Sequence, residues 1–157
     1  MSSILPRFRC AAAVAAALLC SPALCQNLGT VDVFVVNQPW LHPARKAQTT
    51  HAYMNLNSSG GTMLLGARSE DARRVSLRSA HGAAAAGLAL PAKSEVALAP
   101  GHDHLTLTGL TRTLKIGDRV KITLMVRDDN GTVHEIAVNA EVRHRSPVDE
   151  ERRAHHH

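Results

Sequence analysis

Residues 120–126 place an apolar side chain at every second position, Val120, Ile122, Leu124 and Val126, with Lys121, Thr123 and Met125 between them. A strand points successive side chains to opposite faces, so this alternation requires a β-strand with one face buried and excludes a helix over the same span. The run stops at Asp128-Asp129-Asn130-Gly131, and apolar residues resume at Val133, Ile136 and Val138. Asn-Gly between two alternating runs marks a hairpin, because the tight turn needs residues that tolerate positive φ. The same period recurs at Val31, Val33 and Val35, at Ala52, Met54 and Leu56, at Val96 and Leu98, and at Leu105 and Leu107. Ser59-Gly60-Gly61, Ala99-Pro100-Gly101 and Gly117-Asp118 punctuate the runs. Many short strands at this spacing predict an all-β fold, an antiparallel sandwich or barrel. A chain of 157 residues supports one such core and not two.

Residues 1–25 stand outside this pattern. Arg7 and Arg9 precede an alanine-rich apolar run from Cys10 to Leu19, and Ser21-Pro22-Ala23 supplies the small residues read by a signal peptidase. The expectation is a cleaved signal peptide, cut after Ala23 or after Cys25, and a periplasmic protein. The apolar run is shorter than the roughly 20 residues a spanning helix needs, so no stable membrane insertion is expected. Neither Cys20 nor Cys25 follows the Leu-Ala/Ser-Gly/Ala run of a lipidated cysteine. Cys10, Cys20 and Cys25 are the only cysteines, so the domain at 26–146 has no intrachain disulfide, thiolate zinc site or cysteine redox motif. Residues 147–157 are charged and lack apolar periodicity, and disorder is expected there. That tail closes on His155-His156-His157.

The formal charge is +5, but the basic residues are scattered. Phe8, Phe34, Trp40 and Tyr53 are the only aromatics, too few for the stacking platforms of nucleic-acid binders. No nucleic-acid partner is expected. There is no Gly-x-Ser-x-Gly elbow, phosphate-cradling glycine loop or His-Glu-x-x-His motif, and the paired Asp128-Asp129 sits at a hairpin tip, so no enzyme is expected.

One segment carries more. His102-Asp103-His104-Leu105-Thr106-Leu107-Thr108-Gly109-Leu110 resembles the metal-binding strand of the PCu(A)C family of periplasmic copper chaperones, which reads His-Leu-Met-Leu-Met-Gly-Leu. Ala52-Tyr53-Met54 with its Gly60-Gly61 turn, Leu65-Gly66-Ala67, Arg74-Val75-Ser76-Leu77 and Gly87-Leu88-Ala89-Leu90-Pro91 are similar to other family blocks in the same order, over roughly residues 30 to 143. The resemblance implies a cupredoxin-like Greek-key antiparallel β-sandwich and a monomer. It also implies delivery of copper to an acceptor protein, a respiratory oxidase subunit or another copper chaperone.

The family's ligand set is altered here. Its first histidine falls at Arg78, the methionine hairpin is shortened to the region of Ala83–Ala86, and the late His-x-Met reads His104-Leu105-Thr106. A guanidinium is always protonated and cannot ligate a cation. Replacement imidazoles lie close by. On a continued strand His102 shares a face with His104, and His81 follows Arg78 on the shortened hairpin. His104, His102 and His81 are therefore the expected metal ligands. This nitrogen set suits copper(II), zinc or nickel better than copper(I), which prefers thioethers, so the oxidation state of the copper stays open. Met54 is read as core, Met63 and Met125 as partly exposed. Asp103 either orients an imidazole by accepting its second N–H or is a turn residue. The rival reading is a binding or adaptor module of the same family that has lost copper.

Overall fold

The computed structural model describes residues 34–154, all within one unit, Val31–His157. The segment 1–25, where a signal peptide is expected, lies with its three cysteines outside the described residues, as do Val31, Val33 and His155–His157. Nine strands and one helix follow in order: β1 Phe34–Leu41, β2 Thr50–Ser58, β3 Thr62–Ser69, β4 Ala72–Arg78, β5 Leu88–Leu90, β6 Ser94–Leu98, β7 His104–Leu110, β8 Arg119–Asp128, β9 Val133–Val142 and α1 Pro147–Ala154.

The hairpin predicted at Asn130-Gly131 joins β8 to β9, which pair antiparallel from Arg127 opposite Val133 to Arg119 opposite Glu141. The Asp128 amide donates to the Thr132 carbonyl, and Gly131 takes φ +86°, a left-handed conformation that costs glycine little. Val120, Ile122, Leu124 and Val126 all point into the core, as their alternation requires. They meet Leu41, Met54, Leu56, Leu64, Leu105 and Leu107 there.

The strands form one sheet in the order β4-β7-β2-β1-β9-β8-β3-β5, with β6 added against β2. β3 and β4, far apart along this path, are in contact, so the sheet curls round its core. It is mixed rather than purely antiparallel. β1 runs parallel to β9, with Trp40 opposite Glu141 and Leu41 opposite Val142. Parallel neighbours cannot be joined by a tight turn and are brought together only by a long crossover; no local signal announces such a pair. β1 also carries an irregularity between Asn37 and Trp40, where Gln38 has positive φ and Pro39 has no amide to donate.

The expectation of disorder after residue 146 is corrected over Pro147–Ala154, which is helical. Ser146 accepts the Val148 amide at its hydroxyl and the Asp149 and Glu150 amides at its carbonyl. Proline follows at the first helical position, Asp149 and Glu150 lie in the first turn, and Arg152 and Arg153 in the last. Cap, proline and charge order all favour a helix here. Arg143, bonded to both Glu141 and Glu150, ties α1 to the end of β9.

Candidate functional site

β7 lies between β4 and β2. Leu105 and Leu107 face the core, so His104 and Thr106 face outward. Arg78 of β4 is directly opposite His104, and Ser76 is opposite Thr106. On the other side His51 of β2 is opposite Thr106. Ala52 and Met54 are buried in the core, which turns His51 and Tyr53 onto the same outer face. β1 extends the face with Trp40, paired to Tyr53, followed by His42.

These side chains form a continuous row. The Trp40 ring lies 4.7 Å from Tyr53 and 5.0 Å from His42, centroid to centroid. Tyr53 lies 6.2 Å from His104, which meets His51 edge-to-face at 5.0 Å. Trp40 and Tyr53 are only 5% and 6% exposed, yet neither belongs to the main core. They make a second, smaller apolar cluster against which His42 and His104 pack, with His51 in turn against His104.

Hydrogen bonds orient the rings. His104 Nδ1 is 2.8 Å from the His102 carbonyl. A carbonyl only accepts, so Nδ1 carries the proton, and in the neutral ring Nε2 keeps its lone pair. His51 Nδ1 is 3.2 Å from the Thr106 hydroxyl. Burial lowers the pKa of His51, and the nearby charges of His104 and His42 lower it further. Burial, then the charge of His144, lowers that of His42. Both rings are therefore held toward the neutral form, the form that binds metal.

The expected ligands occupy one end of the domain but are not gathered. β7 begins at His104, so His102 lies in the preceding turn and the strand alternation does not reach it. It offers His104 its carbonyl, and its own side chain is exposed. His81 is exposed in the turn after β4. That turn is tied to the other by Asp103, whose carboxylate accepts the Ala80 amide at 3.0 Å, which makes Asp103 a turn residue. Among the described residues no three His, Cys, Asp or Glu side chains are arranged to hold a metal ion. Arg78 faces the first turn, donating to the Gly82 carbonyl at 3.1 Å.

The soft site is not rebuilt elsewhere on this face. Met54 is in the core, while Met63 and Met125 are half-buried on β3 and β8, where Met63 Sδ accepts from Arg127. The residues present thus do not fit a methionine-rich copper(I) site; they offer imidazole nitrogen. His51 is not among the ligands expected from the sequence. Its alternation with Ala52 and Met54 marked it as outward-facing, but nothing local showed that β2 lies beside β7.

The curled β-sheet is that of a PCuAC-type domain. The copper-bound PCuAC domain from PmoF2 is similar, with 26% identity and a TM-score of 0.59 over 69% of this chain and 91% of that one. The solution structure of CuI-DR1885 from Deinococcus radiodurans is 28% identical with a TM-score of 0.55, over 76% of this chain and 85% of that one. The apo PCuAC domain from PmoF1, 21% identical, shares the fold with a TM-score of 0.62 over 70% and 92%. A protein of Leifsonia xyli subsp. xyli described as "Putative lipoprotein Lxx21020" is 32% identical over 127 residues, 74% of this chain and 75% of its own length. Residues 34–142, from the first strand to the end of β9, match the family described as "Putative lipoprotein LpqE-like". The chain belongs to this LpqE-like, PCu(A)C copper-chaperone family.

Proposed function

We propose that this protein is an exported metal carrier that binds copper at an altered, histidine-rich site and passes it to a copper-accepting protein, an oxidase subunit or another chaperone. His104 is the centre of that site. The observation that carries the reading is its orientation: Nδ1 is committed to the His102 carbonyl, leaving Nε2 as a free donor at the half-exposed end of β7. Ligating histidines are commonly oriented in this way by a bond at their other nitrogen. His81 and His102, in adjoining turns at the same end, are the additional imidazoles available to an ion held by His104. The reading includes a cleaved signal over residues 1–25, periplasmic location, a monomer, no catalytic step and no membrane-spanning segment. The family's lipoprotein description supports export, and among the described residues no helix is long and apolar enough to cross a membrane.

The curled sheet is read as a cupredoxin-like Greek-key sandwich. The non-sequential neighbours β7–β2 and β1–β9 support this, since Greek-key connections bring distant strands side by side. An ion held by few, exposed protein ligands leaves coordination positions free, so an acceptor can bind before the donor releases. Titration of the protein carrying H155A, H156A and H157A with copper(I), copper(II) and zinc tests the proposal. Binding of one copper ion, weakened by His104→Ala, is expected. No binding of any of the three would leave the adaptor reading in its place.

A further inference from the structure

The outer face of β2 and β7 carries two imidazoles in contact, His51 and His104. We infer that His51 and His104 are the chelating pair of this protein, a two-imidazole site for a borderline divalent transition-metal cation such as Cu²⁺ or Zn²⁺. The inference rests on the carrier reading above and supplies its second ligand.

The two rings lie edge-to-face with centroids 5.0 Å apart, on neighbouring hydrogen-bonded strands rather than on turns. Each has its Nδ1 occupied, His104 by the His102 carbonyl and His51 by the Thr106 hydroxyl. The free nitrogen of both rings is therefore Nε2. A hydroxyl can accept as well as donate, so Thr106 can take the His51 Nδ1 proton in a hydrogen bond and leave Nε2 of His51 bare like that of His104. Thr106 is buried, which holds this brace in place. The residue that stands where the family has a thioether thus serves as the support of a new nitrogen ligand. Ligands fixed by strand backbones lose little freedom on binding. Two neutral imidazoles without sulfur favour Cu²⁺ or Zn²⁺ over Cu⁺.

The test uses the protein carrying H155A, H156A and H157A, titrated with Cu²⁺ and with Zn²⁺, and the ring nitrogens followed by long-range ¹H–¹⁵N spectra with Zn²⁺. One ion should bind per chain, and Nε2 of both His51 and His104 should shift. His51→Ala and His104→Ala should each lower affinity by about a hundredfold, and Thr106→Val by about tenfold, as loss of an orienting partner does, with Thr106→Ser retaining it. If His51→Ala does not fold, His51→Asn takes its place. Affinity lost in His104→Ala but kept in the His51 variant would overturn the pair and leave the carrier reading standing. So would loss of affinity without a shift at His51 Nε2, which would make His51 a packing residue. If neither ion binds, the pair is overturned, and the carrier reading then stands or falls on the copper(I) titration.

Discussion

Arg78 of β4 and His104 of β7 are directly opposed across an antiparallel pair, so a fixed positive charge flanks the imidazole proposed as the centre of the metal site. Side chains at such opposed positions on one face are neighbours. The Arg78 guanidinium is drawn to the Gly82 carbonyl, which moves its charge toward the turn without removing it from the site's surroundings.

Arg78→His should therefore strengthen metal binding by about tenfold, through removal of that charge and addition of a nitrogen donor. Arg78→Ala should give a smaller gain from the charge alone. Calorimetric titration of both variants separates the two contributions, and equal affinities in all three proteins would refute the electrostatic argument.

Core truncation should be costly. Leu107 and Ile122 are fully buried on β7 and β8, and replacing either with alanine should lower stability by about 2–5 kcal/mol. Ile116→Ala is the control, because this side chain is 56% exposed and its loss should change stability by no more than about 0.5 kcal/mol. Denaturant midpoints compare the three.

Stability should fall on mild acidification. His42 and His51 have folded pKa values below the ordinary 6.5, burial being the larger cause in both. Between the folded value and 6.5 the unfolded chain binds more protons, so stability rises with pH across that window and is complete above it. A second loss belongs at lower pH. The Lys115 amide and Arg112 lower the pKa of Asp118, and His134 that of Asp128, below 3.8. The stability these carboxylates contribute is present above 3.8 and disappears as pH falls through their folded values. Unfolding midpoints measured from pH 7.5 downward should show the first step, and the variant carrying H42N and H51N should flatten it.

Export should leave a shortened chain. Intact mass of protein recovered from the periplasm should correspond to a start at Leu24 or at Gln26. A mass that retained Cys20 or Cys25 with attached acyl chains would instead make this a lipid-anchored protein.

Local pattern alone located β8 and β9, their hairpin and the inward side of β7, because a two-residue period and an Asn-Gly turn act over a few neighbouring residues. It also held the signals for α1, Ser146-Pro147 with acids before bases, but these were outweighed by the lack of apolar periodicity. The family was legible in collinear blocks that run through these strands. His104 could be singled out in the same way, whereas His102 could not be placed, since its position depends on where β7 begins. The pairing of His51 with Thr106 and His104 is different in kind. These residues are separated by 55 positions in the one case and belong to strands that no short turn connects. Which strand lies beside β7 follows from how the whole sheet curls to bury Leu56, Leu105 and Ile122 together. That choice minimises exposed apolar surface over the entire domain, so it is written in no single segment and appears only when the chain is folded.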